Sequence, residues 1–279
     1  MVDSQTACLG LFGFPVKHSL SPRIHRYFSK LHRINATYLC FEVSPAHLEK
    51  AITGAKALGL KGFNLTIPHK ESIIRYLDCI DPGARLIGAV NTVKIENGKT
   101  FGFNTDGEGF LRHLQEELSF DPRHKDIAML GAGGAARAVS VYLAKMHPAS
   151  LAIYDIDKAK AKALLGHLKA NFKHTTFRFA SSVIALDIAQ CDLLVNTTPV
   201  GMKPGDPCLV APELLHKKLF VYDLIYNPGE TKLLMRSRLH GCRISNGLGM
   251  LLHQAARSFE IWTGKKIAKS SIQKLQSAI

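Results

Sequence analysis

The sequence predicts an α/β protein made of two domains. Two observations lead to this prediction. Apolar, strand-like runs alternate with helical patterns along most of the chain, and a glycine-rich turn joins one such run to a helix just before its middle. With 279 residues, the chain is long enough for two modest domains that each bury a core of their own.

The first hundred residues predict an α/β domain with a mostly parallel sheet. We expect strands at 8–13, 36–43 and 62–67, a helix from Ser21 onward and a second helix at 47–58. Ser21 is the predicted N-cap of its helix, with Pro22 in the first helical position. Polar residues follow the ends of these strands, where ligands bind in open α/β sheets.

The glycine-rich turn predicts a Rossmann dinucleotide-binding domain. The apolar run 127–130 leads into Gly131-Ala132-Gly133-Gly134-Ala135-Ala136, which has the spacing G-x-G-x-x-A. Gly131 allows the sharp turn, and Gly133 lets a pyrophosphate approach the backbone N–H groups that begin the next helix. The following strand, 151–154, ends in Asp155, where such domains place the acid that binds the adenosine ribose.

The remaining patterns complete the two domains. We expect a helix at 158–168, then a loose segment, strands at 193–195 and 220–222, and a last helix that begins at 247. The predicted domains are residues 1–106 with 247–279, which would bind the substrate, and residues 107–246, which would bind the dinucleotide.

Composition excludes several classes of protein. The formal net charge is +14, but the cations are spread through the chain and no nucleic-acid-binding module is visible, so the charge is expected to attract an anionic substrate and cofactor. No run is long enough to predict a membrane span and no N-terminal signal indicates export, so we expect a cytoplasmic protein. The six cysteines are scattered, which argues against a disulfide framework, and no metal site is predicted.

Seven ordered blocks of the sequence resemble the shikimate dehydrogenase family along nearly the whole chain. They are Ser19-Leu20-Ser21-Pro22, Asn64-Leu65-Thr66-Ile67-Pro68-His69-Lys70, Gly88-Ala89-Val90-Asn91-Thr92, Asn104-Thr105-Asp106-Gly107, Gly131-Ala132-Gly133-Gly134-Ala135, Asn196-Thr197-Thr198-Pro199-Val200-Gly201-Met202, and Gly247-Leu248-Gly249-Met250 with Gln254. Seven blocks in order make this resemblance far more specific than any single motif.

The resemblance implies the reversible reduction of 3-dehydroshikimate to shikimate by a nicotinamide cofactor. It implies Lys70 and Asp106 as the catalytic pair, and such a pair can exchange a proton with the reacting oxygen or stabilise its charge. The sequence leaves open which of the two carries the proton. The expected substrate contacts are Ser19, Ser21, Asn64, Thr66, Asn91, Gln254 and Tyr226. The expected cofactor contacts are Gly131, Gly133, Gly134, Ala135, Asp155, Thr197 and Gly247. His18 and His69 are interpreted as flanking residues.

The loop after the second strand of the dinucleotide domain departs from the family pattern. In the family this loop typically reads Asn-Arg-Thr, and its arginine receives the 2′-phosphate of NADP. Here it reads Asp155-Ile156-Asp157, so the arginine is missing and two carboxylates stand near its place. Because like charges repel and Asp155 can accept hydrogen bonds from both ribose hydroxyls, we expect NAD to be preferred over NADP. Lys158 and Lys160 weaken this expectation, since either could reach a phosphate.

Two alternatives stay open. NAD preference is typical of the quinate/shikimate branch of the family, so quinate is a second candidate substrate. Against it, Ser21 stands where the NAD-dependent quinate enzymes often have threonine. The other alternative is a non-catalytic, dinucleotide-binding regulator, but such a protein would need neither Lys70 nor Asp106. The sequence leaves the choice between monomer and homodimer undecided.

Overall fold

The computed structural model describes residues 2–279, which form two six-stranded sheets with helices around them. The strands are β1 (Ala7–Gly13), β2 (Ala36–Glu42), β3 (Gly62–Leu65), β4 (Cys79–Ile80), β5 (Thr92–Glu96), β6 (Lys99–Phe103), β7 (Asp126–Leu130), β8 (Ser150–Tyr154), β9 (Thr176–Phe179), β10 (Leu193–Asn196), β11 (Phe220–Asp223) and β12 (Arg243–Ser245). The α-helices are α1 (Ser21–Leu31), α2 (Leu48–Ala57), α3 (His69–Ser72), α4 (Pro82–Ile87), α5 (Asp106–Arg112), α6 (Gly134–Ala144), α7 (Lys158–Asn171), α8 (Lys232–Leu239), α9 (Leu248–Thr263) and α10 (Lys269–Gln276). Among the helices of this range, none combines the length and apolar character needed to cross a membrane.

The chain divides into two compact units, each with its own sheet. The first unit comprises the residues up to Gly109 together with Leu251–Ile279, and the second comprises Phe110–Met250. The predicted domains, 1–106 with 247–279 and 107–246, differ from these units by a few residues at each boundary. The predicted two-part α/β architecture is confirmed.

The sheet of the first unit has the strand order β2-β1-β3-β5-β6-β4 and is mixed. β1 pairs in parallel with β2 and β3, while β5 is antiparallel to both β3 and β6. The β5–β6 hairpin turns at Asn97 and Gly98, whose φ angles are 51° and 72°, the left-handed pair that a tight hairpin turn requires. This hairpin is not among the predicted elements, although Asn-Gly is a typical hairpin turn.

The sheet of the second unit is wholly parallel and has the strand order β12-β11-β10-β7-β8-β9. The chain winds outward from β7 through β8 to β9, then returns to β10 and winds the other way. This is the doubly wound order of the Rossmann fold, and ligands bind in such sheets beyond the carboxyl ends of the strands at the point of reversal. The glycine-rich turn follows β7 directly, at this point. The predicted loose segment after α7 contains the edge strand β9.

The predicted N-cap of the first helix is wrong. Helix α1 begins at Ser21 itself, its N-cap position is Leu20, and no side chain caps it. The Ser21 N–H instead donates to the Ser19 hydroxyl at 3.2 Å, so the Ser-x-Ser pair closes its own turn ahead of the helix. A side-chain cap is present on α7, where Asp157 accepts hydrogen bonds from the backbone N–H groups of two residues in the first turn.

Candidate functional site

Lys70 and Asp106 form a close ion pair in the first unit. Lys70 lies in α3 shortly after β3, and Asp106 is the first residue of α5 after β6. Because β3 and β6 are both antiparallel to β5, their carboxyl ends meet at one edge of the sheet. Lys70 Nζ lies 2.6 Å from Asp106 Oδ2, with the side chains 18% and 7% exposed. The aspartate is therefore buried, and the lysine keeps some contact with the outside.

Asn91 holds the other oxygen of the Asp106 carboxylate. The backbone N–H of Thr105 donates to Asn91 Oδ1 at 2.8 Å, and because an N–H can only donate, this contact assigns the orientation of the amide. Asn91 Nδ2 therefore donates to Asp106 Oδ1 at 2.8 Å, and Gln254 Oε1 lies 3.3 Å from the same nitrogen. Each oxygen of the Asp106 carboxylate thus accepts a hydrogen bond, one from Lys70 and the other from Asn91.

Asn64 belongs to the same buried network. It lies in β3, an inner strand of the sheet, and is 6% exposed. Its Nδ2 donates to the backbone carbonyl of Asn91 at 3.0 Å and to Thr92 Oγ1 at 2.9 Å. Thr92 in turn donates to Asn91 Oδ1 at 2.9 Å. The network therefore joins Asn64, Asn91 and Asp106 through hydrogen bonds.

The other predicted substrate residues lie on several elements. Ser19 and Ser21 follow β1, and Thr66 follows the adjacent parallel strand β3. A Cβ on Gly13, at the end of β1, would overlap the Thr66 methyl group, so the glycine lets these two strand ends lie close together. Tyr226 is half-buried and belongs to the second unit, in the segment after β11.

Buried hydroxyl groups that were not predicted as site residues lie beside the amides of Asn64 and Asn91. They belong to Thr92, Thr105 and Ser258. Ser258, fully buried on α9, donates to the Gln254 carbonyl at 3.0 Å. Its oxygen lies 2.8 Å from Thr92 Oγ1 and 3.2 Å from Thr105 Oγ1. A signal was present, because Ser258 follows Gln254 by four residues and so lies on the same helical face. The flanking role expected for His69 agrees with its full burial and with its Nε2 lying 2.7 Å from the Val43 carbonyl oxygen.

The glycine-rich turn of the second unit is closed by Thr197 on one side and leaves open space on the other, in front of the first residues of α6. Gly131 has φ +104°, and a Cβ there would overlap the Thr197 hydroxyl, which donates to the Leu130 carbonyl at 2.6 Å. Thr197 therefore closes the turn from behind. A Cβ on Gly133 would meet nothing within 4 Å, so the space in front of α6 is free to receive a ligand. N–H groups facing open space at a helix N-terminus fit a pyrophosphate.

Asp155, at the end of β8, binds the backbone of the glycine-rich turn. Its Oδ2 accepts from the Ala132 N–H at 2.7 Å and its Oδ1 from the Asp157 N–H at 2.8 Å. Ile156 is 90% exposed, and Lys160 Nζ lies 3.6 Å from Asp157 Oδ2. The carboxylate is thus held beside the turn and not free to swing away.

Gly247 and Asp223 shape the backbone farther along the same unit. The Gly247 N–H donates to the Ile225 carbonyl at 3.1 Å, and a Cβ on Gly247 would overlap the Leu224 carbonyl, so only glycine fits. Asp223 accepts hydrogen bonds from Asn196 at 3.0 Å and Thr231 at 2.7 Å. Burial raises the pKa of Asp223, and these hydrogen bonds act in the opposite direction. Between residues 2 and 279, no cluster of three or more His, Cys, Asp or Glu side chains could hold a metal ion.

Comparisons with known proteins identify the family of the chain. Residues 11–93 match the shikimate dehydrogenase substrate binding domain, and residues 247–274 match the shikimate 5′-dehydrogenase C-terminal domain. A relative from Methanopyrus kandleri, named shikimate dehydrogenase (NADP(+)), is 46% identical over 95% of this chain and 93% of its own length.

Two solved structures extend the comparison to the whole fold. A shikimate dehydrogenase in complex with NADP+ is 42% identical, with a TM-score of 0.91 over 100% of this chain and 97% of its own. The Listeria monocytogenes shikimate 5-dehydrogenase in complex with shikimate and NAD is 34% identical, with a TM-score of 0.87 over 98% of this chain and 97% of its own. The chain belongs to the shikimate dehydrogenase family.

Proposed function

We propose that this chain catalyses the reversible, nicotinamide-dependent reduction of 3-dehydroshikimate to shikimate. The observation that carries the proposal is the Lys70–Asp106 pair, held at the carboxyl edge of the first sheet with both oxygens of the carboxylate already accepting hydrogen bonds. The names of the relatives support the substrate and the reaction class.

The first unit would bind the substrate. Ser19 and Ser21 would receive its carboxylate, and a group of neutral polar side chains would bind its hydroxyls, namely Asn64, Thr66, Asn91 and Gln254, with Tyr226 as a further contact. Hydroxyl and amide groups suit a small polyhydroxy acid because each can donate or accept without adding charge. The expected attraction of the anionic acid comes instead from Lys70 and from the basic chain as a whole.

Lys70 is the proposed proton donor in the direction of reduction. An ammonium group has three N–H donors, and the contact with Asp106 uses one of them, so others remain for the substrate oxygen. Asp106 accepts from Lys70 and Asn91, which holds the ammonium group in place beside the carboxylate. In the direction of oxidation Lys70 would take the proton back from the hydroxyl.

The second unit would bind the dinucleotide, which supplies or accepts the hydride when bound. Its pyrophosphate would lie against the backbone N–H groups of the glycine-rich turn, at Gly131, Gly133, Gly134 and Ala135. The other proposed contacts with the dinucleotide are Asp155, Thr197 and Gly247.

We further propose that NAD is preferred over NADP. The Asp155 carboxylate is held beside the turn, and Ile156 offers no charge. The nearby cation Lys160 lies 3.6 Å from Asp157 Oδ2. A 2′-phosphate would therefore face carboxylates without an arginine. The relatives cover both cofactors, since the Methanopyrus name specifies NADP(+) and the Listeria complex contains NAD.

Initial rates of nicotinamide reduction test both proposals, with shikimate and quinate each paired with NAD and NADP. Lys70→Met, which keeps the length of the side chain and removes its charge, is the matched inactive control. We expect shikimate turnover that is faster with NAD, and a loss of at least about a hundredfold in Lys70→Met, as for removal of a general acid. Turnover mainly with NADP would overturn the proposed NAD preference and leave the proposed reaction standing. Faster turnover of quinate than of shikimate would overturn the proposed substrate assignment. No turnover in any pairing would favour the non-catalytic regulator.

A further inference from the structure

Tyr38 is a buried phenol that touches the substrate side of the first unit. It lies in β2, is 7% exposed, and its hydroxyl is 2.8 Å from Asn64 Oδ1. Its ring stacks on the imidazole of His25, with centroids 4.3 Å apart and planes 12° apart, and lies 6.2 Å from the ring of Trp262. The ring is therefore fixed by packing, and its single polar atom points at a residue proposed to bind substrate.

The direction of the Tyr38–Asn64 hydrogen bond follows from the neighbours of Asn64. Asn64 Nδ2 lies 3.0 Å from the backbone carbonyl of Asn91, which can only accept, so the amide nitrogen must face that way. The oxygen of the same amide then faces Tyr38, and the phenol must be the donor. Burial raises the pKa of Tyr38 well above its ordinary value of 10, so the phenol keeps the proton that it donates.

A chain of hydrogen bonds, each oriented the same way, continues from Asn64 to the catalytic pair. Asn64 Nδ2 donates to Thr92 Oγ1 at 2.9 Å, and Thr92 donates to Asn91 Oδ1 at 2.9 Å. Asn91 Nδ2 donates to Asp106 Oδ1 at 2.8 Å. Because every member donates a hydrogen to the next one, these bonds connect the phenol of Tyr38 to the carboxylate of Asp106.

We propose that Tyr38 is a positioning residue that holds Asn64 in place for the substrate. The inference rests on the proposed function, because it assumes that Asn64 binds shikimate. Without the phenol oxygen, Asn64 Oδ1 has no donor in a buried place, and the side chain can shift from the position in which Tyr38 holds it, although the Asn91 carbonyl still fixes which end of the amide donates. A substrate hydroxyl would then meet a displaced amide, while the dinucleotide site in the other unit would be untouched.

The test is Tyr38→Phe, which removes one oxygen and keeps the stacked ring. We expect the KM for shikimate to rise about tenfold, the size expected for one lost buried hydrogen bond, with kcat within about threefold. The KM for the nicotinamide dinucleotide should not change. Trp262→Phe is the matched control, because it removes the hydrogen bond from Nε1 to the Val93 carbonyl (2.9 Å) in the same apolar cluster without touching Asn64.

A double-mutant cycle separates positioning from general packing. In an Asn64→Ala background, Tyr38→Phe should have no further effect on the KM for shikimate, because the group that it orients is gone. An additive effect, an unchanged KM in Tyr38→Phe, or an equal rise in Trp262→Phe would each overturn the inference. Absence of shikimate turnover in the wild-type protein would overturn the proposed function itself, and with it this inference.

Discussion

Replacement of His25 by phenylalanine is expected to remove much of the acid sensitivity of folding. His25 lies on α1, is 1% exposed and stacks on Tyr38. Burial lowers the pKa of His25 from 6.5 to about 3, and neither of its buried ring nitrogens has a hydrogen-bond partner among residues 2–279. The imidazole is therefore neutral in the folded protein at moderately acidic pH, whereas in the unfolded chain it binds a proton below its ordinary pKa.

The sign and the size of the effect follow from these two pKa values. Between them the unfolded state binds more protons, so stability is fully present above pH 6.5 and is lost as the pH falls toward the folded-state pKa of about 3. At about 1.4 kcal/mol per pH unit, His25 alone lowers the free energy of unfolding by about 2 kcal/mol between pH 7 and pH 5. The full loss, reached below the lower pKa, is about 5 kcal/mol.

Urea unfolding of the wild type and His25→Phe at pH 7, 6 and 5 measures this difference directly. Phenylalanine keeps a ring against Tyr38, so the comparison is between the slopes with pH and not between the absolute stabilities. His18→Gln is the control, since it replaces a histidine at an exposed position outside the core. Parallel pH dependences of wild type and His25→Phe would refute the reasoning.

The remaining predictions concern the cofactor loop and the glycine-rich turn. The double change Asp155→Ser with Ile156→Arg should raise the ratio of kcat/KM with NADP to that with NAD by about tenfold or more, and an unchanged ratio would contradict the account of this loop. Gly131→Ala should lower the free energy of unfolding by about 1–3 kcal/mol, because alanine is strained at φ +104° and meets Thr197. Gly133→Ala, whose Cβ enters open space, should leave urea unfolding of the ligand-free protein unchanged but weaken dinucleotide binding in a fluorescence titration. Dinucleotide binding at wild-type strength in Gly133→Ala would place the pyrophosphate elsewhere.

The strands of the second unit show what local sequence can predict. β7, β8, β10 and β11 are buried parallel strands, so each is a continuous apolar run that needs no partner to be recognised. The glycine-rich turn is equally local, since its spacing encodes a strand, a tight turn and a helix start. Strands β9 and β12 were not predicted, because they are short, lie at the edges of the sheet and include exposed residues.

The site shows where local prediction ends. Lys70 and Asp106 were predicted by resemblance, and each taken alone has the pattern of a solvated lysine or a turn residue. Ser258 and Tyr38 lie outside the seven blocks, and Thr105 lies within one without a predicted role, because a hydroxyl in a strand or helix is compatible with many surroundings. Their role depends on which partner lies opposite them.

Four features could be predicted without the fold: the α/β class, the glycine-rich turn, the acid after the second strand of the dinucleotide domain and the departure from the family at Ile156. These features depend on residues close together in the chain, whose backbone preferences and apolar patterns act locally. The hydrogen bonds from Tyr38 to Asn64, from Asn91 to Asp106 and from Ala132 to Asp155 became visible in the folded chain. These hydrogen bonds join segments that are far apart in sequence. Which group donates depends on the neighbours of each side chain, and those neighbours come together only when the sheet forms.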